Sequence, residues 1–297
     1  IGSFSPFGLS TDWPDDWEGN HLSTYARLRT FYVNPVVSYQ VHPKLSLAVG
    51  FNLIYSDLRF KRALKINPLP LNLGQADLDM DDIAYGFNLA LSYQITDRIK
   101  LGLSYRSSID VEYDGDANFR APRLLKPLLP EGGVSLDIEL PPIVATGIAA
   151  AITDKLTLEF DLIWVGFSTY DELYADFDQR INPLLKSQFA PIQRDYKDVL
   201  DIAMSARYQA SESLSLLCGF LFDRSTVPEE NVDPILPDSD KYILGMGFSY
   251  TKPRWDFHFP YYAVFSADVN VRRNRDGFNG KYESYASLIS INLDYRF

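Results

Sequence analysis

The chain ends in Ser284-Tyr-Ala-Ser-Leu-Ile-Ser-Ile-Asn-Leu-Asp-Tyr-Arg-Phe297, a stretch that alternates between apolar and polar side chains. Successive side chains of a β-strand point to opposite faces of the sheet, so one face carries Tyr285, Ser287, Ile289, Ile291, Leu293, Tyr295 and Phe297. The opposite face carries mainly Ser, Asn, Asp and Arg. An apolar face that ends in aromatic rings, opposite a polar face, fits a strand with lipid on one side and water on the other.

The same period-2 alternation recurs along the whole chain. It predicts about 12 strands, several of them longer than the 5–6 residues typical of soluble sheets. In the predicted strand 101–114 the apolar face runs from Leu101 to Tyr113, and in 134–140 from Val134 to Leu140; both faces are expected to meet lipid. The predicted strands cover residues 1–9, 31–41, 45–56, 84–95, 101–114, 134–140, 156–164, 200–208, 214–223, 242–250, 255–268 and 284–297.

Short and long connections alternate between these strands. Tight turns are predicted at 42–44, 96–98, 153–155, 211–213 and 251–254. Long connections are predicted at 10–27, 65–82, 120–133, 178–194 and 227–239, with a shorter one near 273–280. Membrane barrels have short periplasmic turns and longer extracellular loops. The sequence therefore predicts an all-β protein, a transmembrane up-and-down antiparallel β-barrel, with residues 1–297 as a single outer-membrane domain.

Composition excludes several classes of function. The net charge of −11 disfavours nucleic acid as a partner, because phosphate backbones would repel the chain. Cys218 is the one cysteine, so it forms no disulfide within the chain and no cysteine-based zinc site. No stretch approaches the ~20 apolar residues of a membrane helix. No metal or other cofactor is expected.

Two of the predicted long connections are unusually apolar. One carries Leu69, Leu71 and Leu73, and the other carries Leu124, Leu125, Leu128 and Leu129. Exposed loops normally avoid such runs. They could pack on each other as a lid or form a groove for an apolar ligand, and both interpretations can hold together.

A series of short segments adds a family resemblance. In order they are Ser5-Pro6-Phe7-Gly8-Leu9-Ser10-Thr11-Asp12-Trp13, Asn34-Pro35-Val36-Val37-Ser38-Tyr39, Tyr85-Gly86-Phe87-Asn88, Leu103-Ser104-Tyr105-Arg106-Ser107, Glu139-Leu140-Pro141-Pro142, Trp164-Val165-Gly166-Phe167-Ser168, Tyr196-Lys197-Asp198, Phe222-Asp223, Val227-Pro228 and Ile235-Leu236-Pro237-Asp238. Together they resemble the FadL-type outer-membrane transporters of long-chain fatty acids and related hydrophobic compounds. The resemblance implies a monomeric barrel of 14 strands around an N-terminal hatch. This chain corresponds to strands three to fourteen, so the hatch and the first two strands are expected to be missing.

The resemblance also implies where substrate binds. Substrate would leave sideways through a gap at a kinked strand, which falls on Ser5, Pro6, Phe7 and Gly8. Proline lacks a ladder N–H and glycine tolerates bulges, so strand pairing is expected to break here; the alternative is that Pro6-Phe7-Gly8 merely ends a strand. Arg62 corresponds to a basic residue of the binding pocket, and Arg194 is a second candidate. The alternative for Arg62 is a solvated position in the basic cluster 59–62.

The favoured function is passive uptake of hydrophobic molecules, above all long-chain fatty acids, caught on the apolar loops and released into the outer-membrane lipid. An aromatic-hydrocarbon channel of the same family and a general diffusion porin are the alternatives. A hydrolase would need a nucleophile, a base and an orienting third group, and no Ser/His/Asp arrangement is legible in the sequence. We therefore expect no enzymatic activity.

Overall fold

The computed structural model describes residues 1–66 and 71–296. The predicted positions Leu69 and Phe297 lie outside the described residues. Short 3₁₀ helices occupy Lys126–Leu128, Phe167–Thr169, Pro183–Phe189 and Glu229–Asn231. Of the helices in the described residues, none is long and apolar enough to cross a bilayer. The strands are β1 Gly2–Phe4, β2 Gly8–Asp12, β3 Tyr25–Asn34, β4 Val36–His42, β5 Leu45–Ile66, β6 Leu71–Thr96, β7 Ile99–Arg106, β8 Ile109–Arg120, β9 Gly132–Leu140, β10 Ile143–Ala151, β11 Leu156–Val165, β12 Glu172–Leu173, β13 Asp176–Phe177, β14 Ile192–Gln193, β15 Val199–Gln209, β16 Leu214–Asp223, β17 Lys241–Thr251, β18 Trp255–Ser266, β19 Val269–Val271, β20 Gly280–Tyr282, β21 Tyr285–Ile289 and β22 Asn292–Tyr295.

The strands form an up-and-down antiparallel sheet, which confirms the predicted fold class. Several strands join end to end into long ribbons: β1 with β2, β3 with β4, β7 with β8, β9 with β10, and β21 with β22. Each ribbon pairs with the next along the chain, from β1/β2 to β21/β22. The described part contains no ladder between these two outermost ribbons.

One belt of the outer surface is apolar. Side chains at alternate positions, among them Phe87, Leu89 and Met246, are exposed although they are hydrophobic. Aromatic rings such as Tyr85 and Tyr285 are exposed on the same surface. The inner face is polar: the Asn34 amide donates to the side-chain oxygens of Asn52 at 2.9 Å and Asn88 at 2.7 Å. This distribution is the one a lipid-embedded barrel needs.

In the half of the barrel that carries the long hairpins, the polarity of the two faces is reversed: apolar side chains face inward and charged side chains face outward. Along β6 the even-numbered positions from Ala76 to Asn88 face inward, polar at Asn88 but apolar and buried at Leu78 and Met80. Asp79 and Asp81 face outward instead. The interior of this half is a conventional hydrophobic core, to which Tyr32, Ile54, Leu64, Val111, Tyr113, Phe119, Leu136 and Phe177 contribute.

The predicted loop at 65–82 is wrong. β5 reaches Ile66 and β6 starts at Leu71, and these two residues are cross-strand partners. The outward positions 77, 79 and 81 carry aspartates rather than apolar residues, because this part of the hairpin stands in water above the belt. A strand whose outer face is in water has a composition close to that of a polar loop, and this is why the sequence predicted a loop here.

The lipid-facing assignment of Ile109, Val111 and Tyr113 is also wrong. All three are buried inside the barrel. The cause is a bulge: residues 82–87 of β6 lie opposite residues 107–113 of the neighbouring ribbon, which is one residue more. One extra residue turns every later side chain to the opposite face.

In the next ribbon, formed by β9 and β10, the even-numbered side chains also switch from the inner to the outer face, at the level of this bulge. Leu136 and Leu140 of β9 are buried inside, whereas Ile148 of β10 is exposed on the outside. The change falls at Pro141-Pro142, opposite the bulge of the preceding ribbon, since Leu140 pairs with Ile109 and Ile143 with Arg106. The predicted lipid contact of 134–140 is therefore wrong as well.

Candidate ligand-binding site

Strand pairing is interrupted between β1 and β2. Phe4 pairs with Tyr32 and Gly8 with Arg29, so residues 5–7 lie opposite 30–31 and no ladder forms there. Pro6 has no N–H to donate. The fully buried hydroxyl of Thr30 donates to the Phe7 carbonyl at 2.7 Å and accepts from the Phe7 N–H at 3.4 Å. A side chain therefore replaces the missing ladder bonds.

A cavity of about 550 Å³ lies behind this interruption. Pro6, Phe7 and Gly8 form part of its wall, while Ser5 lies outside it. Side chains of β3, β5, β6 and β9 supply an apolar lining, of which Leu28, Leu58, Phe60, Met80 and Leu136 are examples. Phe177 and Phe189 from the long connection 166–198 complete it. The cavity is suited to a long apolar molecule.

Arg62 lies at the boundary of two cavities. It lines the large cavity and also a smaller one of about 190 Å³. Its guanidinium carbon is 5.9 Å from the centre of the Phe189 ring. Burial lowers the pKa of Arg62 to about 10, against the opposing effect of Asp276, so the side chain stays cationic at neutral pH.

The rest of the basic cluster 59–62 is disposed differently. Arg59 and Lys61 lie on the opposite face of β5 from Arg62, because odd- and even-numbered side chains of a strand point to opposite faces. Both pair with Asp77, at 2.9 and 3.4 Å. Arg59 also lines the large cavity, so Arg62 is distinguished from its neighbours by lining both cavities.

Arg194 lines the large cavity too, from the segment between β14 and β15. Its Nη1 is 2.6 Å from Oδ2 of Asp233, and the two side chains are 3% and 4% exposed. Burial would lower the pKa of Arg194, but the Asp233 carboxylate raises it above its usual value. The pair is a buried, charged bridge between two extracellular segments.

The predicted leucines of the 121–131 connection are not brought together at the cavity. Leu124 is 90% exposed, Leu129 is buried, and Leu125 and Leu128 pack partly against the core. None of these four belongs to the described wall of the large cavity. Leu71 and Leu73 are among the first residues of β6. The 121–131 connection thus packs on the core with three of its four leucines.

A Ser/His/Asp arrangement does exist, contrary to the sequence-based expectation. Ser249 Oγ lies 2.6 Å from Nδ1 of His258, whose Nε2 lies 3.2 Å from Oδ2 of Asp294. These residues come together through the register of neighbouring strands, and the sequence alone does not reveal that register. Ser249 is buried within a regular ladder, whose backbone N–H groups pair with the neighbouring strand rather than forming an oxyanion hole. The arrangement connects three strands.

Sequence reasoning missed Thr30 and Asp233. Thr30 sits on a strand whose pattern gives no hint of the interrupted partner, because the partner residues are 23 positions away. Asp233 precedes Pro234 in a loop-like stretch. The signal available was an aspartate followed by proline, which is typical of a turn and gives no indication of a buried ion pair.

Comparisons with known proteins agree with this architecture. A model of the family described as "Outer membrane protein transport protein (OMPP1/FadL/TodX)" matches residues 1–297. A long-chain fatty acid transport protein of Escherichia coli O6:H1 is 22% identical over 277 residues, which cover 83% of this chain and 61% of that protein. The chain therefore spans less than two thirds of the length of this relative.

Solved structures share the fold. A FadL homologue of Pseudomonas aeruginosa superposes with a TM-score of 0.87 at 19% identity, over 99% of this chain and 73% of that one. The Ralstonia pickettii toluene transporter TbuX gives a TM-score of 0.72 at 17% identity, over 99% of this chain and 76% of the other. With the family match over its whole length, the chain belongs to the OMPP1/FadL/TodX family of outer membrane transport proteins.

Proposed function

We propose that this chain forms a channel for passive uptake of hydrophobic molecules across the outer membrane, with long-chain fatty acids as its main substrates. The observation that carries the proposal is one cavity with an apolar lining, a cationic Arg62 in its wall and the strand interruption at Pro6–Gly8 in the same wall. Each buried methylene of an acyl chain contributes about 0.8 kcal/mol. Arg62 supplies a charge for the carboxylate.

The route follows from the position of these features. A ligand enters from the extracellular connections, rests with its chain among Leu58, Met80 and Leu136, and leaves between β1 and β2 toward the lipid. Residues 5–7 make no ladder bonds to β3, so little backbone pairing opposes a lateral movement there. No covalent step is needed, and the concentration gradient drives transport.

Replacing Arg62 tests the carboxylate role. Arg62→Ala is expected to reduce uptake of radiolabelled oleate about tenfold or more, because a charge-assisted hydrogen bond contributes ~1.5–3 kcal/mol. Uptake of a neutral alkane of similar length is expected to stay unchanged. Lys61→Ala is the matched control, since Lys61 pairs with Asp77 on the other face of β5 and is not among the residues of either described cavity wall. Equal loss of both substrates in Arg62→Ala would remove the carboxylate role.

Aromatic hydrocarbons are the second candidate. Phe60, Phe167, Phe177 and Phe189 all line the cavity, and ring edges and faces favour aromatic ligands. TbuX, which shares the fold, is a toluene transporter. Competition separates the two: a fatty-acid channel should take up labelled oleate without competition from toluene, whereas an aromatic channel should take up labelled toluene without competition from oleate.

A further inference from the structure

Arg29 lies on the outer surface, directly beside the strand interruption. It pairs with Gly8 in the ladder of β2 and β3, one position beyond residues 5–7, which form no ladder. Odd-numbered side chains of β3 face outward, because Phe31 is exposed in the apolar belt while Thr30 is buried. Arg29 is therefore the first charged side chain above the belt on this strand, and its side chain is 54% exposed.

One end of the Arg29 guanidinium is held in place and the other end is available. Its Nε donates to Oδ2 of Asp57 at 2.8 Å, which is its only side-chain hydrogen bond within residues 1–66 and 71–296. The other oxygen of Asp57 accepts from Arg27 at 2.6 Å. Two guanidinium groups thus share one carboxylate and leave a net charge of +1. The Asp57 side chain is 7% exposed, so an approaching anion contacts arginine rather than aspartate.

The side of Arg29 that faces β2 has room for a head group. Gly8, its ladder partner, has no side chain. A Cβ placed at Gly8 would lie 4.0 Å from the nearest atoms beyond its chain neighbours, the Leu28 carbonyl oxygen and Ser5 Oγ. Gly8 also belongs to the wall of the large cavity, together with Pro6 and Phe7. A ligand that leaves the cavity between β1 and β2 therefore passes next to Arg29.

The charge of the outer surface changes sign around the barrel at this height. Next to the gap, the outward positions of β3 and β5 carry four cations with Asp57 among them: Arg27, Arg29, Arg59 and Lys61. The outward positions of β6 and β8 carry carboxylates: Asp77, Asp79, Asp81, Asp114 and Asp116. A carboxylate at the gap is attracted by the near strands and repelled by the far ones, which favours a position beside Arg29.

We propose that Arg29 binds the carboxylate of a fatty acid as it emerges between β1 and β2, and holds this head group at the boundary of lipid and water while the alkyl chain enters the hydrocarbon beside Phe31. The inference rests on the proposed function, because it needs a carboxylate ligand and a lateral exit. It gives the ligand two successive cationic contacts, Arg62 in the cavity and Arg29 outside the wall. A neutral ligand gains nothing at the second contact.

Uptake of radiolabelled oleate and oleyl alcohol tests this, in Gram-negative cells that lack their own fatty-acid transporter and carry the full chain. Arg29→Gln removes the charge but leaves Asp57 with both hydrogen bonds from Arg27, so the variant should fold. Oleate uptake is expected to fall about threefold, as for an exposed ion pair, and oleyl alcohol uptake to stay unchanged. Arg29→Lys keeps the charge and should retain most of the oleate uptake. The matched control is Arg120→Gln, an exposed arginine on β8 away from the gap, which should change neither uptake.

Cross-linking locates the head group directly. A fatty acid with a diazirine next to its carboxylate is expected to label residues 5–10 and 27–31 of the unaltered chain, and to label them less in Arg29→Gln. Unchanged oleate uptake in Arg29→Gln, or an equal loss of both substrates, would overturn the inference. So would a variant that keeps its oleate uptake but copurifies with less lipopolysaccharide, because Arg29 would then bind a lipid phosphate. If the unaltered chain raised the uptake of neither substrate, the proposed function would fail and this inference with it.

Discussion

At the scale of single residues, Thr30 stabilises the chain where strand pairing is interrupted between β1 and β2. Its hydroxyl both donates to and accepts from the backbone of Phe7, in a position with no exposure to solvent. An unpaired backbone group in a lipid-facing wall is costly. A strand whose pairing is interrupted therefore needs a side chain such as Thr30 to hydrogen-bond its backbone. One hydroxyl thus keeps residues 5–7 ordered without rebuilding the ladder.

We expect Thr30→Val to destabilise the folded protein by ~1–3 kcal/mol, since the isosteric change leaves the Phe7 backbone groups buried without partners. Urea unfolding in lipid vesicles, followed by tryptophan fluorescence, measures this. Thr24→Val is the control, because the Thr24 hydroxyl is equally buried and has no hydrogen-bond partner in the described part of the chain. Similar losses in the two variants would mean that the hydroxyl of Thr30 contributes nothing specific.

At the scale of strands, the bulge at Ser107-Ser108 determines which face of β8 is inside. The N–H and hydroxyl of Ser107 are both used at this point: the N–H donates to the Phe87 carbonyl at 3.0 Å and Oγ accepts from the Phe87 N–H at 3.0 Å. The extra residue is therefore held in place by specific bonds. Beyond it, Ile109 and Val111 enter the core.

Deleting Ser108 should prevent folding. The deletion restores equal residue counts, so Ile109, Val111 and Tyr113 would turn to water while Asp110 and Glu112 entered the core. On an unheated SDS gel, the faster-migrating band expected of the folded barrel should be present for the unaltered chain and absent for the deletion. Deleting Arg123 from the 121–131 connection is the control, because it alters no strand register. A deletion at Ser108 that still gave the folded band would refute the role of the bulge.

The sequence predicted the strands better than their faces. Period-2 alternation locates β15, β17 and β18 within a few residues, because it depends only on local geometry. It does not separate an apolar face on lipid from an apolar face on a core, so Val111 and Leu136 were assigned to the wrong side. The inward position of Arg62 could be inferred from resemblance, whereas the Arg194–Asp233 pair joins two connections 39 positions apart and left no local signal.

At the scale of the whole molecule, the outer surface consists of two zones. The belt around Phe87 and Leu89 is apolar, and above it the outward positions of β6, β8 and β9 carry carboxylates such as Asp79 and Asp114. Asp114 lies directly opposite Asp81 in the ladder, a like-charged pair that is tolerable only in water. The boundary between the zones marks the height of the lipid surface.

A single charge should therefore have opposite effects in the two zones. We expect Leu89→Lys to cost about 2–4 kcal/mol of unfolding free energy in lipid vesicles. Asp114→Lys should be neutral or slightly stabilising, because it relieves the repulsion with Asp81. Urea unfolding of both variants measures the difference, and equal costs would mean that Leu89 does not contact lipid.

The reversed interior of the hairpin-bearing half means that the two halves of the barrel are stabilised in different ways. The half in lipid has an apolar outer surface, and the half in water has a hydrophobic core. The large cavity lies among residues of that core. A ligand bound there is therefore expected to stabilise the half in water more than the half in lipid.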